Sequence, residues 1–310
     1  MKTKHHSYGI IPIYKDGNNI FICCVHNKKS NDWGLLKGTP EGNETPFETA
    51  SRELHEETGI KDFDIIGGKT FEEEYTFEID GIVHEKINTY YIASVTSMID
   101  KALDIDSKDM RWIDIKSADS FFKFSELIKI TSDVLDYMTK FPLVQKYLGR
   151  SGEEVIFEHY NSDSIEHLKP GTMSQVQIMA FHGDKLLIVN NTEWENMYTP
   201  VGGGIEPGET PEECLPRELQ EESNMRVVGE PRLIGYQSCK NLTRPDAPIK
   251  YQLRYYAKVE PIGPFDPSCD PDGDVTELLE INPTDYKKYF DWGTTGDEII
   301  NRAIEFHGLV

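Results

Sequence analysis

Apolar and polar positions along this chain fall into two series that open with the same signal. Residues 8–14 are apolar and rich in strand formers, Asp16-Gly17-Asn18 is turn chemistry, and residues 20–25 turn apolar again. That order predicts a β-hairpin. Residues 176–181, the turn His182-Gly183-Asp184 and residues 185–189 predict another. Strands are expected over 71–79, 87–95 and 110–115 in the first series, and over 226–236, 251–259 and 275–281 in the second. Apolar residues at Leu127, Ile128, Ile130, Val134, Leu135 and Met138 follow a helical period and predict an amphipathic helix over 125–147. Helices are also expected over 283–289 and 296–305.

Between hairpin and later strands, each series carries one more shared pattern. The first copy is GTPEGNETPFETASRELHEETGI from Gly38, and the second is GGIEPGETPEECLPRELQEESNM from Gly203. Gly38, Glu44, Arg52, Glu53, Glu56 and Glu57 recur as Gly203, Glu209, Arg217, Glu218, Glu221 and Glu222, each 165 positions later. Thr45 suits a helix N-cap, Pro46 the first turn and Gly59 the stop; Thr210, Pro211 and Asn224 are their counterparts. Ala50 and Leu54, like Leu215 and Leu219, lie four apart and form an apolar face.

The acids in that helix are badly placed unless something compensates them. Glu53, Glu56 and Glu57 stand at i, i+3 and i+4 on one face, where like charges cost about 0.2–0.5 kcal/mol per pair. Glu56 and Glu57 also fall in the last turn, where the helix dipole opposes anions by about 0.3–1 kcal/mol each. Glu218, Glu221 and Glu222 repeat the arrangement. Hard oxygen donors gathered in this way point to Mg2+, with Mn2+ as the other choice. A solvated acidic face is the plain reading of a glutamate run, but it leaves the glycines, the arginines and the twofold spacing unexplained.

Composition narrows the partners. The 310 residues divide into two expected domains, 1–149 and 150–310, with a polar stretch between Tyr147 and Pro170. A net charge of −22 argues against extended nucleic acid and anionic lipid, yet allows small polyphosphates where a metal supplies positive charge. No apolar run reaches the length of a membrane span and no secretory leader is evident, so a cytoplasmic location is expected. The five cysteines, Cys23, Cys24, Cys214, Cys239 and Cys269, lack zinc spacing and read as reduced thiols. Asp270, Asp272 and Asp274 hint at an incomplete calcium loop, either a solvated turn or an auxiliary metal or base contribution. A homodimer is left open.

The repeated pattern resembles the Nudix box, G-x5-E-x7-R-E-U-x-E-E-x-G-U. The first copy fits every fixed position. The second departs at Asn224, which stands for the last glycine, and carries Pro216 inside the helix. The resemblance implies an α/β fold of two tandem α/β/α sandwiches, each a mixed β-sheet with the box as loop–helix–loop. It implies hydrolysis of phosphoanhydride bonds in nucleoside diphosphate-linked substrates. In this reading Glu53, Glu56 and Glu57, and Glu218, Glu221 and Glu222, hold metal beside Gly38 and Gly203. Glu44 pairs with Arg52 and Glu209 with Arg217 to fix the loops. Glu53, Glu218, Glu73, Glu74, Asp266 and Asp274 are the candidates for general base. The first half, with Trp33 to Lys37, Tyr75 and Tyr90-Tyr91, is similar to the diadenosine tetraphosphate hydrolase branch, which implies that Lys37 is a substrate contact and Tyr75 either a base-stacking contact or an ordinary strand aromatic. In the second half Trp194 and Tyr198 are candidates to line a base pocket, or else core. Two alternatives stand: one catalytic half beside a half that senses a nucleotide, with Pro216 and Asn224 nominating the second, or an RNA 5′-pyrophosphohydrolase.

Overall fold

The computed structural model describes residues 3–28, 30–79, 81–99, 107–148, 152–192 and 197–308. They form two compact units, Met1–Phe141 with Ser164–His167, and Pro142–Asp163 with Leu168–Val310.

The first unit is built on a mixed sheet. Its spine is β3 (Trp33–Gly34), β2 (Asn19–Asn27), β1 (Thr3–Asp16), β6 (Ile82–Ser94) and β4 (Asp64–Ile65), in that order; β5 (Phe71–Ile79) pairs with β6 and β7 (Ser107–Asp114) with β2. β1 and β6 run parallel and the other pairs antiparallel. Helix α1 (Pro46–Thr58) sets Ala50 and Leu54 against Ile10, Tyr91 and Ala93 on one face. After the single turn α2 (Ala118–Phe121), helix α3 (Ser125–Lys140) covers the opposite face, where Tyr137 meets Phe71 edge-on. Alternation along β6 makes this sandwich, since Tyr90 and Tyr91 point to opposite sides.

The second unit repeats the plan. Its sheet runs β12 (Met197–Pro200), β11 (Lys185–Asn191), β10 (Met173–His182), β14 (Lys250–Pro261), β13 (Met225–Asn241), β9 (Glu154–Tyr160) and β8 (Leu143–Leu148), with β15 (Leu278–Ile281) on β11. β10 and β14 are the parallel pair. Helix α4 (Pro211–Ser223) rests on β10 and β13. Helix α5 (Gly293–His307) packs Ile300, Ala303 and Ile304 on Met179, Phe181 and Tyr256.

Two expectations change. The helix expected over 125–147 stops at Lys140, because Pro142 pushes Phe141 into extended backbone (φ −116°, ψ 150°). Residues 143–148 then form the edge strand β8. Residues 283–289 form a 3₁₀ turn over Pro283–Lys288 and not an α-helix. Among the described residues no helix is long and apolar enough to cross a membrane.

Candidate active site

Both box helices begin with a reciprocal cap. Thr45 Oγ1 accepts from Glu48 N (3.2 Å) while Glu48 Oε2 accepts from Thr45 N (2.9 Å). Thr210 and Glu213 do the same at 3.3 and 2.9 Å. Gly59 closes the first helix at φ 78° and Asn224 the second at φ 52°, both left-handed. Asn224 Nδ2 also donates to Pro264 O (2.7 Å). Pro216 lies inside α4, which nonetheless runs unbroken from Pro211 to Ser223.

These helices aim an arginine at the loop before them. Arg52 grips Glu44 with two parallel bonds, Nε to Oε1 (2.8 Å) and Nη2 to Oε2 (3.1 Å), and Nη2 also donates to Thr39 O (3.0 Å). Its Nη1 donates to Glu53 Oε1 (2.8 Å) and Glu56 Oε2 (2.9 Å). Arg217 grips Glu209 at 2.7 and 2.9 Å, reaches Gly204 O (2.9 Å), and meets Glu218 (2.8 Å) and Glu221 (2.9 Å). The fork holds both Glu44 and Glu209 at about 2, well below the carboxylate range. Thr49 adds a hydroxyl bond to Glu44 (3.1 Å), whereas its counterpart Cys214 accepts from Arg217 Nη2 (3.3 Å).

The remaining carboxylates are crowded against the glycine loop. A Cβ on Gly38 would fall 1.8 Å from Glu53 Oε1, and one on Gly203 would fall 2.6 Å from Glu218 Oε1. Each glycine is therefore the space its glutamate occupies. Burial pushes Glu218 up to about 7 against the pull of Arg217. Burial also pushes Glu222 up to about 8, opposed by the Gly202 amide (2.7 Å) and helped by the charges of Glu218 and Asp270. Acids held this close and this dry call for a cation, and an all-oxygen donor set fits a hard divalent ion. Among the described residues no three acidic, thiol or imidazole groups already stand close enough to share one ion. The Nη1 atom of each arginine bridges two carboxylates, Glu53 and Glu56 in the first unit and Glu218 and Glu221 in the second.

In the first unit Lys37, Glu53, Glu57, Glu73, Tyr75 and Trp33 line one cleft of about 700 Å³. Lys37, next to Gly38 in sequence, and Tyr75, beyond the box on β5, thus line the cleft with the box acids Glu53 and Glu57. Glu73 is buried and accepts from Asn88 Nδ2 (2.7 Å) and Tyr90 Oη (3.1 Å). Glu74 points to the other side of β5, where it shares a hydrogen bond with Glu85 that raises its pKa. Lys86, donating to Ser7 Oγ (2.5 Å), lies near enough to Lys37 that burial and like charge lower its pKa. Sequence reasoning passed over Lys86, because only the β1–β6 pairing brings it there.

In the second unit the side chain of Tyr198 packs on the α5 core and donates to Glu277 (2.5 Å). Trp194 lies outside the described residues. Asp266 caps the turn at Ser268 (2.9 Å). Asp270, one of the three acids of the incomplete calcium loop, carries the charge felt by Glu222, and its carboxylate shapes the loop by accepting from Asp274 N (2.8 Å) and Val275 N (2.9 Å).

Two sandwiches of the same plan, each with an arginine-clamped acidic helix beside a glycine loop, define one class of protein present twice in the chain. The NUDIX domain model matches residues 3–161 and again 171–293, so the chain belongs to the Nudix family as a tandem duplication. Members of that family generally use divalent metal ions. The NAD-capped RNA hydrolase NudC of Pseudomonas syringae pv. syringae (strain B728a) is 31% identical over 78 residues, which are 24% of this chain and 27% of that protein. The chain thus spans about a quarter of that relative's length. An Ap4A hydrolase of C. elegans, solved as a binary complex, is similar at 18% identity and a TM-score of 0.39, covering 44% of this chain and 99% of its own. The Bacillus subtilis pyrophosphohydrolase BsRppH is similar at 18% identity and a TM-score of 0.37, covering 52% and 97%.

Proposed function

We propose that both halves are Mg2+-dependent pyrophosphohydrolases, and that the first takes dinucleoside polyphosphates. The observation that carries this is the shared cleft of Lys37, Tyr75, Glu53 and Glu57. Glu53, Glu56 and Glu57 would hold the ions in the first half, and Glu218, Glu221 and Glu222 in the second. A bound divalent ion supplies the positive charge that phosphate oxygens need as the bridge breaks. The chain's own groups do the rest. Glu44–Arg52 and Glu209–Arg217 pin the loops. Lys37 and Lys86 offer point charges to a polyphosphate. Tyr75, 39% exposed, offers a face to a base. Glu53, against Gly38, would take a proton from an attacking water.

The test is hydrolysis by the full chain of a panel: dinucleoside polyphosphates, nucleotide sugars, ADP-ribose, nucleoside triphosphates and NAD-capped or 5′-triphosphate RNA. Each is run with magnesium and with manganese. Glu56→Gln is expected to abolish dinucleoside polyphosphate turnover and spare whatever the second half cleaves; Glu221→Gln is expected to do the reverse. If Glu56→Gln removes every activity, the second half is no independent enzyme. The RNA arm answers the second reading, motivated by the partial match to a capped-RNA hydrolase.

A further inference from the structure

Corresponding positions in the two sheets can be set side by side. Tyr8 N donates to Gly38 O (2.9 Å) in the first, and Val176 N donates to Gly203 O (3.0 Å) in the second. From that anchor the registers match Gly9 and Tyr90 to Gln177 and Arg254, and Asn88 and Glu73 to Gln252 and Gln237. In the first unit this set is an acid held by neutral donors, and it faces the cleft.

The second unit puts a guanidinium among amides in the same place. Arg254 Nη2 donates to Gln237 Oε1 and to Gln252 Oε1 (2.9 Å), and Nη1 to Leu253 O (3.2 Å). Its Nε has no hydrogen-bond partner, although Arg254 is only 4% exposed. Among the described residues no carboxylate pairs with it. His159, across β13, is held neutral by burial and by this same cation, and cannot offset it. A buried charge without a counter-ion is costly. By alternation along β14, Arg254 shares a face with Tyr256, the face that α5 covers. The register partner of Arg254 is Gln177, whose Cα lies 2.7 Å from where a Gly202 Cβ would be, and Gly202 N is held by Glu222. At the mouth the polarity is reversed: Lys37 stands in the first unit where Gly202 stands in the second.

We propose that the second half receives a substrate bearing a second anionic group, a phosphate monoester or a carboxylate remote from the scissile bridge, and that Arg254 binds it. This rests on reading the second half as a nucleotide site, but not on its being catalytic. The bidentate fork of a dehydrated guanidinium suits either anion. The first half, with Glu73 at that depth, offers an acceptor and suits a hydrogen-bond donor.

The experiment is calorimetric titration of the full chain in EDTA, where hydrolysis does not intervene. Two ligand pairs differ by one group: NADP against NAD for the phosphate, and UDP-glucuronate against UDP-glucose for the carboxylate. The charged member of one pair is expected to bind at least about tenfold more tightly. Arg254→Gln is expected to erase that advantage and leave the neutral member within about threefold, while Lys37→Met leaves the advantage intact. Arg254→Gln should melt at or above the wild-type temperature, because it removes a buried charge; a purely structural arginine would melt lower when replaced. Equal binding within both pairs, no binding of any of the four, or an advantage that survives Arg254→Gln overturns the proposal. Should the variant fail to fold, the wild-type pairs decide alone. Discrimination without hydrolysis by the second half would sink the catalytic reading and leave this one standing.

Discussion

Gly38 and Gly203 hold no special backbone conformation; their value is the absence of a side chain. The glutamate opposite each is fixed by arginine Nη1, so an added methyl group displaces the carboxylate and leaves the fold in place. Gly38→Ala is therefore expected to lower kcat at least about tenfold while the melting temperature stays within about 2 °C. Gly203→Ala, with 2.6 Å in place of 1.8 Å, should cost its half less. A melting temperature that falls in step with activity would mean that the glycines serve the fold instead. His159 gives a second residue-scale expectation. Burial, with Arg254 beside it, holds its pKa down at about 4 against an ordinary 6.5. The unfolded chain therefore takes up that proton first. The stability this residue contributes is full above about 6.5 and is lost as pH falls toward 4, to a total of about 3 kcal/mol. In urea melts, the free-energy advantage of wild type over His159→Gln should shrink by about that amount between pH 7 and pH 4. An advantage that stays constant with pH would show that His159 titrates normally.

Capping is the device that both box helices share; its Thr-Pro start was visible in the sequence, and the structure adds the answering glutamates Glu48 and Glu213. Thr45→Ala and Thr210→Ala are each expected to cost about 1 kcal/mol in denaturant melts. The second helix ends on Asn224 for a reason that its sequence does not carry. A left-handed cap tolerates asparagine, and this side chain also ties the helix end to Pro264 O. Asn224→Ala should accordingly destabilise more than Asn224→Gly, by about 1 kcal/mol. Equal costs would assign the residue's role to the side-chain bond alone. Elements with strong local patterns were legible: both hairpins, both boxes and the strand over Phe71–Ile79. The pair β8 and β9 was not. β8 is an edge strand whose residues beyond Leu143 are all exposed, so it lacks the alternation that betrays a half-buried strand. The candidate site was legible where spacing along one helix sets it, as with the proposed ligands Glu53, Glu56 and Glu57. It was illegible where strand pairing sets it, as with Lys86 beside Lys37 and Arg254 beside Gln237.

Charge is the property that belongs to the whole chain. At −22 its long-range field repels anions, the proposed polyphosphates included, and the cations near the first cleft, Lys37 and Lys86, act only at short range. A protein that steers anions by a basic surface loses on-rate as salt screens the attraction. Here the long-range term has the opposite sign, and the local contacts lie within a Debye length of about 10 Å at 0.1 M. Raising KCl from about 20 to 200 mM at saturating magnesium should therefore raise kcat/KM for an anionic substrate, or leave it unchanged, with kcat constant. The measurement is a series of initial rates at fixed free magnesium, with NaCl repeated as a check on ion-specific effects. A steep fall in kcat/KM would mean that a cationic surface path reaches one of the sites. It would also revive extended nucleic acid as a substrate, because the main argument against it is the sign of this field.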